Sequence, residues 1–160
     1  MCSQHRFDLP PPRLCYAVVA AKLFPANKPG GIVMEHKLIH KVKGAPDETR
    51  LFKANKGKME VFYLGDLTVG RGEFKPGWRW SKHVKPIAKT PSCQATHTGY
   101  ILEGRMVVKM DDGTETEYGP EDFFCMPAGH DAWIVGDKRC VILDFTGVAM
   151  YAKKTRSPSE

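Results

Sequence analysis

Asp111-Asp112-Gly113 is the feature that most constrains how this chain can fold. An Asp-Gly dipeptide supplies the positive-φ residues of a tight hairpin turn, and here it stands between two β-rich runs. Before it, Arg105, Val107 and Lys109 alternate with Met106, Val108 and Met110, so the methionine side is predicted to face a core. After it, Thr114 to Tyr118 reads as the returning strand. A chain that must make this hairpin is committed to antiparallel pairing at its middle.

The flanking sequence continues the same pattern. Strands are predicted at Met59–Leu64, Leu67–Phe74, Trp78–Lys85, Gly99–Leu102, Asp122–Met126, His130–Val135, Cys140–Phe145 and Val148–Ala152, with turns about every 8–12 residues. Periodicity shows no amphipathic helix. The expectation is all-β: an antiparallel β-sandwich or small barrel with an irregular N-terminal extension. The extension is placed at residues 1–44, the folded domain at 45–152 and a C-terminal tail at 153–160. Lys41 to Lys58 reads as irregular chain leading into the domain.

Charge is uneven. Residues 1–58 carry eleven Lys or Arg against four Asp or Glu, and the remainder is close to neutral, so the net charge of +6 belongs to the front of the chain. A solvated extension accounts for that, and no nucleic-acid partner is expected. No apolar run approaches the ~20 residues that span a bilayer, so no membrane partner is expected either. The five cysteines contain no C-x-x-C pair, which argues against a disulfide framework and points to a reducing, cytoplasmic setting. Cys125 and Cys140 lie in apolar runs and are expected as small buried hydrophobes. Cys93, in a polar loop, is the one cysteine whose surroundings suit chemistry.

Gly99-Tyr100-Ile101-Leu102-Glu103-Gly104, the Asp-Asp-Gly hairpin, and Asp122-Phe123-Phe124-Cys125-Met126-Pro127-Ala128-Gly129 together resemble a cupin domain over about residues 59–150. The resemblance implies an RmlC-like jelly roll, a homodimer and a divalent metal inside the barrel. It also departs from the cupin motifs. In the first, His97 stands at the glutamate position, His83 at the first histidine and Lys85 at the second. In the second, Glu121 replaces the first glycine and Ala132 the histidine, with His130 two residues earlier and on the same strand face.

The resemblance therefore implies a metal set of His83, His97 and His130, holding a divalent transition metal (zinc, iron, manganese, nickel or copper). Trp78, Trp80, Lys85, Tyr100 and Trp133 are the candidates for contacting a small-molecule ligand. Asp131 and Glu103 would serve as acid or base only if they face inward. The expected function is metal and small-ligand binding, with dioxygenase or isomerase chemistry by family analogy. The alternative is a ligand-binding, sensing or structural cupin without metal.

Overall fold

The computed structural model describes residues 38–149 together with Tyr151 and Ala152. From Leu38 onward the chain forms one compact unit. The extension expected over residues 1–44 is thus described only from Leu38, and the 153–160 tail lies outside the described residues.

Nine strands are present among the described residues: β1 (Glu48–Leu51), β2 (Gly57–Leu64), β3 (Leu67–Phe74), β4 (His97–Glu103), β5 (Met106–Met110), β6 (Glu115–Tyr118), β7 (Phe123–Met126), β8 (His130–Ile134) and β9 (Cys140–Asp144). They form a six-stranded sheet in the order β1-β2-β3-β9-β4-β7 and a three-stranded sheet in the order β6-β5-β8. Every pairing is antiparallel. The Asp-Gly hairpin joins β5 to β6, with Gly113 at φ +93° and its N–H donating to the Met110 carbonyl at 2.9 Å.

One core lies between the sheets. The larger sheet contributes Met59, Val61, Phe74, Ile101, Phe124, Met126 and Ile142; the smaller contributes Met106, Val108, Ala132 and Ile134. The alternation before the hairpin places Met106 and Val108 inward, as expected from charge, with Arg105 and Lys109 exposed; Val107, expected outward, is buried, and Met110, expected inward, is only half-buried at the turn.

Three segments differ from the sequence reading. Trp78–Lys85 is not a strand: α1 (Trp80–His83) and α2 (Lys85–Ala88) are two short helical turns. Pro86 near the start of α2 suits a first-turn position, where no N–H partner is needed. Val148–Ala152 is not a strand either, because a 3₁₀ turn forms at Gly147–Ala149. Conversely, β1 lies in the stretch read as irregular. Its Arg50 is buried and donates to the carbonyls of Val148 and Tyr151, both at 2.6 Å. A buried guanidinium with carbonyl acceptors from a distant segment has no signal in local periodicity. Cys140 is buried as expected, but Cys125 is exposed on β7 because alternation turns it outward between Phe124 and Met126.

Glu121 occupies the corner before β7 with φ +73°. The cupin motif has glycine there, and the backbone conformation gives the reason: a left-handed φ costs a residue with a Cβ about 1–2 kcal/mol and costs glycine nothing. Glu121→Gly is therefore expected to stabilise the fold by about 0.5–1 kcal/mol, the clash relieved less the added chain entropy. Chemical denaturation of the two proteins checks this; a lower midpoint for the glycine variant would contradict it.

Candidate metal centre

The sulfur of Cys93 and the ring nitrogens of His97 and His130 each offer a donor atom within 4.8 Å of the others, and all three residues are buried. His97 opens β4 and His130 opens β8, so one comes from each sheet. Cys93 arrives on the long connection between β3 and β4, after α2. An isolated antiparallel bridge pairs it with His130: the Cys93 N–H donates to the His130 carbonyl at 2.8 Å, and Gly129 N–H donates to the Cys93 carbonyl at 2.7 Å. A second bridge, Arg79 with Trp133, holds the start of the same connection against β8.

The two imidazoles are oriented by acceptors on their far sides. His97 Nδ1 donates to Asp144 Oδ2 at 2.6 Å, and His130 Nδ1 donates to the Pro127 carbonyl at 2.5 Å. That leaves Nε2 as the nitrogen available for a metal or for Cys93; for His97 it lies 3.4 Å from the Cys93 sulfur. Metal-binding histidines commonly have such an N–H to carboxylate or carbonyl contact, which sets the tautomer. Asp144 is completely buried. Its other oxygen accepts the N–H groups of Thr146 and Gly147 at 3.0 and 2.9 Å. Gly147 lies so close that a Cβ there would fall 2.1 Å from His97 Nδ1, so only glycine fits beneath the ring.

Electrostatics favour a charged pair in the metal-free protein. Burial alone would push the Cys93 thiol up, but hydrogen bonds from His130 and His97 outweigh it and bring the pKa down to about 6. Burial alone would push His97 down, but Asp144 and then Cys93 outweigh it and raise the pKa to about 9. The folded thiol titrates below its unfolded value. Its contribution to stability is complete above about pH 9 and lost as pH falls through about 6. The folded imidazole titrates above its unfolded value, so its contribution is complete below about pH 6.5 and lost as pH rises through about 9.

Two cavities flank the cluster. The outer one, about 440 Å³, includes Cys93, Trp80, Val84, Gln94, Thr146 and Tyr151 in its wall. The inner one, about 30 Å³, includes His97, His130 and Asp144 with Trp78, Trp80 and Met106. Trp80 and Tyr151 border both. Tyr151 also lies edge-on to His97, with ring centroids 5.1 Å apart.

The structure brings His97 and His130 together but not His83 with them. The helical turn at α1 points the His83 Nδ1 back to the Arg79 N–H at 2.9 Å, a local contact that the strand reading had excluded. Trp78 and Trp80 are buried beside the cluster. The other ligand candidates lie elsewhere. Trp133 borders neither cavity and carries the Arg79 guanidinium 4.6 Å above its ring. Lys85 is exposed on α2, and Tyr100 faces outward from β4, tilted against Phe123 with ring centroids 4.7 Å apart. Asp131 is bound by Arg79 and Ser81, and Glu103 is exposed and paired with Arg139. Asp144 escaped the sequence reading; its signal is a lone carboxylate closing the apolar run Val141-Ile142-Leu143.

In metal-free protein, the thiolate absorbance lost on Cys93→Ser is expected to titrate with a midpoint near pH 6. His97→Asn should move that midpoint up towards the ordinary thiol range. A Cys93 midpoint that stays above 8 in the unaltered protein would rule out the charged pair.

No family model matches the chain, and no curated protein matches it. Solved structures are similar to it in fold. An RmlC-like cupin from Shewanella frigidimarina is 15% identical with a TM-score of 0.48, over 71% of this chain and 94% of the other. A cupin domain from Bordetella pertussis is 13% identical with a TM-score of 0.40, over 56% and 91%. The cupin domain of Schizosaccharomyces pombe Cnp3 is 19% identical with a TM-score of 0.41, over 59% and 67%. The two antiparallel sheets around one core, with the Asp-Gly hairpin joining β5 to β6, make this chain an antiparallel β-sandwich, the architecture that the cupin resemblance implies.

Proposed function

We propose that this protein binds one divalent transition metal through Cys93 Sγ, His97 Nε2 and His130 Nε2, and a small, largely apolar organic molecule in the outer cavity. The observation that carries the reading is the pair of fixed imidazoles: both Nδ1 atoms are committed to acceptors, which leaves both Nε2 lone pairs for a metal, and a donor atom of each ring lies within 4.8 Å of the Cys93 sulfur. One thiolate and two neutral imidazoles suit zinc best among the expected metals, with a fourth position left for water or ligand. The 3.4 Å separation of Cys93 Sγ from His97 Nε2 matches the edge of a tetrahedron with bonds of about 2.0–2.3 Å.

Such a metal supplies Lewis acidity at its open position. The chain's own groups do the rest. Asp144 holds the proton on His97 Nδ1, Pro127 holds the one on His130, and the outer cavity offers apolar wall beside Cys93. Oxidation or isomerisation of the bound molecule is the reaction class suggested by the cupin resemblance. A second reading has its own observation: the Cys93–His97–Asp144 chain of contacts is also the arrangement of a thiolate nucleophile with an oriented base.

Metal analysis separates the two. Protein purified without chelators is expected to carry about one equivalent of zinc, lost on Cys93→Ser, His97→Ala or His130→Ala and retained on His83→Ala. Metal-free protein in which Cys93 alkylates rapidly, and into which zinc cannot be reintroduced, would favour the thiolate reading and overturn the metal one. We further propose a homodimer. Phe123, 79% exposed on the edge strand β7, supports it. Sedimentation should show a dimer that Phe123→Glu weakens; a protein that stays monomeric across a raised concentration series would contradict it.

A further inference from the structure

Residues 74–102 carry five Lys or Arg and no Asp or Glu. They include the whole connection between β3 and β4, which contributes Trp80, Val84, Ala88, Thr90, Cys93 and Gln94 to the wall of the outer cavity. Two carboxylates accept from this connection, and both are occupied: Asp131 by Arg79 and Ser81, Asp111 by Ser92. Lys82, Lys85 and Lys89 are exposed and form no ion pair among the described residues. An unpaired surface lysine is ordinary; the place of these is not.

Lys85 directly follows Val84, and Lys89 stands between Ala88 and Thr90, so both cations flank residues of the wall. Successive residues on a helical turn are about 100° apart, which sets positions 85 and 89 beside the lining face, on its solvent side. Lys89 also caps α2 with a left-handed φ of +57°, a conformation that Gly or Asn usually fills. The backbone does not call for lysine there. The interior is different, since no Asp, Glu, Lys or Arg borders the cavity. Its polar groups are committed to the chain. Thr90 Oγ1 donates to the Ser92 carbonyl at 2.8 Å, Gln94 Nε2 donates to the Ser92 hydroxyl at 2.9 Å, and Thr146 Oγ1 accepts the Thr98 N–H at 2.9 Å. Such a chamber suits an apolar body and leaves a charge uncompensated. Exposed Gln94, Thr96, Thr146 and Ala149 in the wall open it to solvent, and its volume of about 440 Å³ holds about ten to fifteen carbon-sized atoms.

We propose that the outer cavity takes an amphipathic organic anion, an alkyl or aryl monocarboxylate. Its apolar body lies inside beside Cys93, and its carboxylate stays at the mouth against Lys85 and Lys89. This rests on the reading of the outer cavity as the ligand site and adds the ligand's charge and direction; it does not depend on the metal. A neutral molecule would make no use of the two cations, and a cationic one would be repelled by them.

Octanoate, octanol and octylammonium share one body and differ in the charge of the head. Each is titrated by calorimetry into the full chain at neutral pH, with and without added zinc. Octanoate should bind tightest and octylammonium weakest in both metal states, with octanoate approaching octanol as salt is raised. Lys85→Gln and Lys89→Asn should each weaken octanoate about 2- to 5-fold, the worth of one exposed ion pair, and leave octanol unchanged. Asn suits the left-handed cap, so Lys89→Asn should keep or raise the unfolding midpoint while affinity falls, which a merely structural lysine would not do. Lys138→Gln, at an exposed lysine between β8 and β9, should change nothing. Ala88→Trp fills the cavity and should remove binding of all three. Equal affinities, or an octanoate preference that survives both lysine changes, overturn the proposal. A preference seen only with zinc puts the carboxylate on the metal and overturns it too, as does binding that survives Ala88→Trp. Failure of all three probes to bind removes the outer cavity as a ligand site altogether, while zinc content still reports separately on the metal.

Discussion

The buried carboxylate of Asp144 is the contact on which the functional end of this structure depends. A fully buried charge is costly unless its lone pairs are used. Asp144 uses them on three donors from two segments: His97 on β4, and the two N–H groups of Thr146 and Gly147 that begin the C-terminal turn. Removing any of the three would leave a charge or donor stranded in the core. The result is that the orientation of His97, the exit of β9 and the packing of Tyr151 beside the ring are solved by one side chain. Arg50 makes the complementary contact from the edge strand β1 of the same sheet, donating to the carbonyls of Val148 and Tyr151.

The second constraint is how a long, polar connection delivers Cys93. The stretch between β3 and β4 has only two short helical turns of its own, and a connection of that kind needs outside partners for its backbone groups. It finds them on β8, through Arg79 with Trp133 and Cys93 with His130. The second bridge is also what makes a centre out of separate residues. It aligns the cysteine with the histidine by backbone register, so the cluster does not rely on the placement of one flexible side chain.

Motif reading reached the fold because the strands carry their own signals. Alternation, the Asp-Gly turn and the Pro-x-Gly corner are local, and β2 to β9 follow them with boundaries shifted by one or two residues. The site was less legible. His97 and His130 sit at strand starts, where alternation says which way a side chain points, and both do face inward. His83 was read on a strand and lies on a helical turn, and turning a strand into a helix changes every facing in the segment. Tyr100 shows the converse: the alternation of β4, which takes His97, Gly99 and Ile101 inward, necessarily sends it out to Phe123.

The sequence by itself determined that this chain makes an antiparallel β-sandwich, where its central hairpin turns, and that Met106 and Val108 face the core. Those are consequences of period-two patterning and turn chemistry between near neighbours. Tertiary structure alone decided that Cys93 rather than His83 joins His97 and His130, and that Asp144 orients one imidazole. Each of these joins residues separated by loops or whole strands, brought together by sheet order and bridge register. Local pattern carries no information about such meetings, because they depend on which strand lies beside which.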